Sequence, residues 1–161
     1  MILDKDLLQL VEKIKIKSSE KNYTISVAES CTGGLISGYL TAVPGSSVYF
    51  ATGIVSYSNE AKINILKVPQ DILDKFGAAS EETAKSMAIG ISNIANSNIA
   101  ISATGIAGPD GGSDKKPVGM ICFGIYANKI VTSNSHYFSG SREEIRHLAC
   151  KQALLLILNN L

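Results

Sequence analysis

The sequence is poor in cysteine, carries no excess of either charge and has no long apolar run, and each shortage closes a class of function. Its three cysteines, Cys31, Cys122 and Cys150, are widely spaced, odd in number and form no C-x-x-C pair. Neither a disulfide framework nor a zinc site is indicated, and reduced thiols in the cytoplasm are expected. Fifteen Lys plus Arg against fourteen Asp plus Glu leave a net charge of +1. A broad nucleic-acid footprint is therefore not expected, although a local basic pocket can still hold one phosphate. No apolar stretch reaches the ~18 residues of a membrane span. Asp4, Lys5 and Asp6 interrupt the first ten residues, so no signal-peptide core is read there. Gly-Lys-Ser, Gly-Lys-Thr and G-x-G-x-x-G are all missing, which removes the nucleoside triphosphate and dinucleotide fingerprints. His136 and His147 have no metal-ligand spacing to another His, Cys or acid and read as surface or half-buried side chains. With 45% hydrophobic and 18% charged residues and no internal repeat, residues 1–161 are expected to form one cytoplasmic domain with its own core.

What is present is concentrated at residues 27–34, Val-Ala-Glu-Ser-Cys-Thr-Gly-Gly. An apolar run ends there and a helical pattern begins, and one turn holds an acid, three potential nucleophiles and two glycines. An ordinary helix start needs one cap and one glycine, so the cluster is over-furnished for structure alone.

The periodicity places elements around this turn. Residues 4–21 set Leu7, Leu8, Val11, Ile14 and Ile16 among charges as an amphipathic helix. Residues 24–28 are a short β-branched strand that delivers the chain to Ser30. A helix over 33–43 is closed by Pro44 and Gly45, and its start points free N–H groups above the strand. Residues 48–58 read as a long strand broken at Gly53, and Asn59 as the cap of a helix over 60–66. That puts Lys62 in a first turn, where the helix field opposes its charge and lowers its pKa. A short helix over 72–76 and a longer one over 81–95, capped by Ser80, read as structural. Residues 98–104 are an apolar strand that stops at a loop over 105–113 with four glycines and a proline, shaped for close approach. Strands over 118–127 and 129–138 form a hairpin around Asn128, so the sheet is mixed. The last helix starts at Arg142, with Arg146 on the same face; two cations near a helix start are expected to meet a carboxylate or a phosphate. Its run over 153–158 is too continuous for one face, and a homodimer or higher homo-oligomer is expected from it.

In a layered α/β domain the ends of parallel strands meet along one edge, which brings together Ser30, Tyr57 and Thr104. That edge suits attack by a hydroxyl, a base to take its proton and N–H donors for an oxyanion. Ser30 comes first in the turn and is preferred to Cys31 as nucleophile; Lys62 or Tyr57 is the base; Thr32, Gly33 or Gly34 supplies the donors. Glu29 is either an orienter of Lys62 or a ligand for a sugar.

Four blocks, AESCTGG at 28–34, YSNEAK at 57–62, SATGIAGPDGGSDKKPVG at 102–119 and FSGSREEIR at 138–146, together resemble the CinA carboxy-terminal domain family. Its stand-alone bacterial members include nicotinamide mononucleotide deamidase. The resemblance covers nearly the whole chain, in order. It implies a three-layer α/β/α sandwich with a mixed, mainly parallel sheet of about five strands. It also implies hydrolysis of nicotinamide mononucleotide to nicotinate mononucleotide and ammonia, with no metal or organic cofactor. By the same resemblance Ser30 is the nucleophile, Tyr57 and Lys62 are its activating partners and Thr104 is a polar site residue. Gly33, Gly34, Gly105, Gly108 and Arg142 are candidates for holding the phosphate. The family often has an acid before that arginine where this chain has Ser141, which puts the placement of Arg142 in question. The 161 residues hold no counterpart of the molybdopterin-binding-like domain of full-length members, and its pyrophosphatase activity is not expected. The rival readings are a catalytically silent nucleotide-binding or regulatory module of the same fold and, disfavoured by the near-neutral charge, a DNA-linked competence factor.

Overall fold

The computed structural model describes residues 4–161; residues 1–3, part of the stretch read as lacking a signal-peptide core, lie outside the described residues. Helix α1 (Lys5–Lys21) opens on Asp4, whose carboxylate accepts the N–H groups of Asp6 and Leu7, and closes on Asn22 in the left-handed conformation. There follow β1 (Ile25–Glu29), α2 (Leu35–Leu40), β2 (Phe50–Val55), α3 (Asn59–Asn64), α4 (Gln70–Phe76) and α5 (Glu81–Ala95). β3 (Ile99–Gly105), β4 (Met120–Ala127), β5 (Ile130–Tyr137) and α6 (Arg142–Asn160) complete the chain. No described helix is long and apolar enough to cross a membrane.

The sheet order is β2-β1-β3-β4-β5. β2, β1 and β3 run parallel, β4 runs against β3, and β5 against β4. The β4–β5 connection is a two-residue turn at Asn128 and Lys129, both at positive φ, which matches the twist of the hairpin. Alternation along the strands sorts the side chains into two cores. Odd positions such as Val27, Ile101 and Phe123 pack under α1, α2 and α6 with Val11, Ile36 and Leu154. Even positions face α3 to α5: Ala28 and Ala100 pack with Leu66, Met87 and Ile91, while Ser102 donates to the Ala84 carbonyl at 2.6 Å. The result is the expected three-layer α/β/α sandwich with a mixed sheet, and the carboxyl ends of β2, β1 and β3 lie side by side.

Several local expectations are corrected. The strand expected over 48–58 is shorter, Phe50–Val55, preceded by a single 3-10 turn. Gly53 does not break it: Gly53 pairs with Val27 across the sheet, and a Cβ there would lie 2.3 Å from Ser37 Oγ, so the glycine makes room for α2. α2 starts only at Leu35, because Gly33 and Gly34 adopt left-handed conformations. Ser58, not Asn59, caps α3, accepting the Ala61 N–H at 3.0 Å. The apolar run of α6 contributes to the core within the chain: Ala153, Leu154 and Ile157 are buried, and Leu156 and Leu158 pack against the same core.

Gly90, midway along α5, faces the Leu66 carbonyl so closely that a Cβ would stand 2.0 Å from the oxygen. Helix propensity alone favours alanine there by about 1 kcal/mol, but the contact forces α5 off the loop after α3. Gly90→Ala is expected to destabilise by about 2 kcal/mol or more, read as a lowered midpoint in urea; an unchanged or raised midpoint contradicts this packing.

Candidate active site

Chain alternation continues past the end of β1 and places Glu29 and Cys31 on the α2–α6 side, Ser30 on the α3 side. Ser30 is 8% exposed and Lys62 1%. Lys62 Nζ lies 3.0 Å from Ser30 Oγ, 2.9 Å from the Ser56 carbonyl and 3.2 Å from the Tyr57 carbonyl. The only ion pairs among the described residues are Lys15 with Glu12 and His147 with Asp4, so no carboxylate compensates this ammonium. Burial pushes the Lys62 pKa below its ordinary value. The cause differs from the expected helix field, since α3 has only six residues. A neutral amine has two N–H groups and one lone pair. Two carbonyls engage the N–H groups, and the lone pair is left for the Ser30 hydroxyl.

Cys31 faces away from Lys62. It sits in the core under α2 and α6, and burial raises its thiol pKa to about 12, so it stays protonated at neutral pH. Tyr57 meets this centre only through its carbonyl. Its side chain is 59% exposed, and its hydroxyl accepts from Arg142 Nη2 at 2.9 Å. Thr104 faces the layer of α3 to α5, as Ser30 does, and its hydroxyl donates to the Ala78 carbonyl at 2.8 Å, which holds the loop before α5; no hydrogen bond joins it to Ser30 among the described residues.

The acid and the glycines of the turn are committed to structure. Glu29, fully buried, accepts from the N–H groups of Gly34, Ile36 and Ser37 at 2.9, 3.1 and 2.8 Å and from Ser37 Oγ at 2.7 Å. It neither touches Lys62 nor faces a ligand; it satisfies the first turn of α2, which no side chain at the cap position does. Gly33 donates to the Ser30 carbonyl at 3.1 Å and Gly34 to Glu29, so neither glycine N–H is free for an oxyanion or a phosphate. The N–H groups of Cys31 and Thr32 have no acceptor among the described residues, and Thr32 Oγ1 is buried without a partner.

The second glycine-rich stretch makes its close approach to the chain itself. A Cβ at Gly105 would lie 2.3 Å from the Met120 carbonyl, and one at Gly108 2.6 Å from Val118 Cγ1. The Gly108 carbonyl accepts from Arg142 Nη1 at 2.7 Å, so Arg142 spans the gap between this loop and Tyr57. Ser141, where an acid was the alternative, forms a capping box with Glu144 that fixes the start of α6 beneath Arg142. Arg146 donates to the Cys31 and Thr32 carbonyls at 3.1 and 2.8 Å. Of the expected carboxylate or phosphate, no carboxylate of the described residues meets either arginine; within the chain both hold neutral oxygens. No group of three His, Cys, Asp or Glu side chains that could hold a metal ion occurs among the described residues.

The profile of the CinA C-terminal domain matches residues 7–161. The chain belongs to the CinA C-terminal domain family. A Clostridium beijerinckii relative bearing the competence-damage inducible name is 54% identical over 127 residues, 79% of this chain and 31% of that protein. The competence/damage inducible protein CihA of Agrobacterium tumefaciens has 39% identity, a TM-score of 0.93 and 99% coverage of both chains. The competence damage-inducible protein A of Klebsiella pneumoniae has 31% identity, a TM-score of 0.92 and 95% coverage of both. The chain spans about a third of the length of the curated relatives it matches, 31% and 36% in two of them.

Within this CinA-type site, sequence reasoning missed the Ser56 carbonyl and the grip of Arg146 on the turn. The first is a backbone atom and leaves no residue signal; the second was visible only as an arginine four positions after Arg142. Glu29→Gln supplies one oxygen where two now accept four bonds, leaving at least one buried N–H without an acceptor. A loss of about 2 kcal/mol is expected in chemical denaturation, and wild-type stability in this variant contradicts the assigned role.

Proposed function

We propose that this chain hydrolyses the carboxamide of nicotinamide mononucleotide to nicotinate mononucleotide and ammonia, with Ser30 as nucleophile and Lys62 as base. The observation that carries the proposal is the buried Lys62 amine, without a carboxylate partner, 3.0 Å from Ser30 Oγ. Ser30 Oγ attacks the carboxamide carbon while its proton passes to Lys62 Nζ. The oxyanion forms against the Cys31 N–H, the residue after the nucleophile, where strand-to-helix nucleophile turns place such a donor. The tetrahedral species collapses as Lys62 returns the proton to the departing nitrogen, and ammonia leaves. Lys62 then takes a proton from water as the water oxygen attacks the acyl carbon, and returns it to Ser30 Oγ as the bond from that oxygen to the acyl carbon breaks, which releases the carboxylate and restores the free serine and the neutral amine.

The choice of substrate is supported by membership of a family whose stand-alone members include such deamidases. It is also supported by Arg142, a cation held only by a carbonyl and a phenol, because a phosphate makes stronger, charge-assisted bonds than either. The test compares ammonia release from nicotinamide, its riboside and its mononucleotide, and release from none of the three refutes the proposal. Ser30→Ala is expected to lose more than about 10³-fold in kcat while Cys31→Ala keeps activity; the reverse pattern excludes serine catalysis. Arg142→Ala is expected to raise KM for the mononucleotide about tenfold and to leave the riboside unchanged.

Because only the neutral amine accepts the proton, kcat/KM is expected to rise with pH through the pKa of Lys62. The midpoint lies below 10.5, the value of an unperturbed lysine. The limb is expected to vanish from the residual activity of Lys62→Met; its survival there assigns it to another group.

A further inference from the structure

We propose that Arg146 is a positioning residue for the nucleophile turn, holding from α6 the peptide planes that follow Ser30. The inference rests on the reading of Ser30 as nucleophile. Arg146 Nε donates to the Cys31 carbonyl at 3.1 Å and Nη2 to the Thr32 carbonyl at 2.8 Å. In a planar trans peptide the carbonyl and the following N–H point in opposite directions. The grip on the Thr32 carbonyl therefore turns the Gly33 N–H away from α6, and that N–H donates to the Ser30 carbonyl at 3.1 Å. The Ser30 carbonyl points back at that N–H, so the next N–H, that of Cys31, points the opposite way, away from α6, where it meets no acceptor among the described residues. The guanidinium thus fixes, two peptides away, the donor assigned to the oxyanion.

Two observations separate this from a chance surface contact. No carboxylate pairs with Arg146, since the only ion pairs among the described residues lie elsewhere; its charge is directed wholly onto the two carbonyls. Gly33 is also shaped to it: the residue has φ +59°, and a Cβ there would stand 3.3 Å from Arg146 Nη2. A side chain at position 33 would both strain the turn and crowd the guanidinium. Arg142, one turn earlier on the helix, reaches the Gly108 carbonyl and Tyr57 instead, so the two arginines divide the substrate mouth from the nucleophile turn.

The test measures kcat and KM for ammonia release from nicotinamide mononucleotide, the thermal midpoint, and the rate at which a fluorophosphonate labels Ser30. Arg146→Ala and Arg146→Lys are compared with wild type. Arg146→Ala is expected to lose about 100-fold in kcat, with KM within about threefold, because the turn loses its geometry and not its ligand contacts. Arg146→Lys is expected to regain about tenfold of that loss, since an ammonium can hold one carbonyl but lacks the fork that holds two. A raised KM with unchanged kcat makes Arg146 a substrate ligand and overturns the proposal. Unchanged kinetics, or a lysine variant no better than alanine, overturns it as well. If Arg146→Ala does not fold, Arg146→Lys and Arg146→Gln carry the same comparison, and a kcat loss at constant KM, larger in Gln, is required of them. If the wild type releases no ammonia but Ser30 is labelled, the amidase reading falls alone. Labelling about 100-fold slower in Arg146→Ala then supports the positioning role, and equal labelling rejects it. If Ser30 is neither labelled nor required, the proposal falls with the nucleophile it serves.

Discussion

A lysine amine closed off from water beside a serine, with no acid to neutralise it, is the constraint around which the site is arranged. Burying an uncompensated ammonium costs several kcal/mol even after relaxation, and burial accordingly lowers the Lys62 pKa from its ordinary value. Where that amine sits follows from the sheet. β1 and β2 end side by side, with Glu29 opposite Val55. The chain leaving β2 turns into α3 after only three residues, Ser56, Tyr57 and Ser58. This short connection aims Lys62 back over its own strand end, where the carbonyls of Ser56 and Tyr57 engage its N–H groups. Lys62 is thus positioned by backbone that a mutation of side chains does not remove.

The turn after β1 solves the opposite problem on the other face of the sheet. Glu29 brings an acid into the core, and it is stable there because four donors from Gly34, Ile36 and Ser37 converge on it. That commitment makes α2 begin where it does and uses the Gly34 N–H, while the Gly33 N–H goes to the Ser30 carbonyl, so neither of the obvious anion donors is left. A turn crowded with polar residues therefore resolves into separate tasks: Glu29 anchors the helix, Ser30 faces the lysine, Cys31 fills the core and Arg146 holds the carbonyls between them.

Much of this was legible in the sequence, and the reasons for the rest are physical. The short β-branched run TISVA, the apolar run NIAISAT and the Ser80 cap gave strands and a helix close to those observed, because each is a local signal. The pairing of Ser30 with Lys62 followed from their positions after adjacent strand ends. The destinations of Glu29, Gly33 and Gly34 were not legible, since an acid between a strand and a glycine pair is consistent with both ligand binding and helix anchoring. Only the register of α2 against β1 decides between them. Tyr57 and Thr104 stand at the expected strand ends, yet their hydroxyls face Arg142 and Ala78. A strand end and its parity fix where a residue is and which layer it addresses, and both put Thr104 on the side of Ser30; what neither fixes is the acceptor its hydroxyl takes, which is the Ala78 carbonyl.

That parity gives the two helical layers different parts in the site. The layer of α3 to α5 supplies Lys62 and shapes the wall around it. The layer of α2 and α6 supplies no reacting group of its own, and its contribution is orientation through Glu29, Arg146 and Arg142. Orientation of this kind is sensitive to sub-ångström shifts, whereas a buried amine beside a hydroxyl tolerates them better. Relatives that keep Ser30 and Lys62 but differ along the first two turns of α6 are therefore where changes in turnover without loss of the fold should arise. The strands underneath, packed on both faces, leave little freedom for the turn to adapt by any other route.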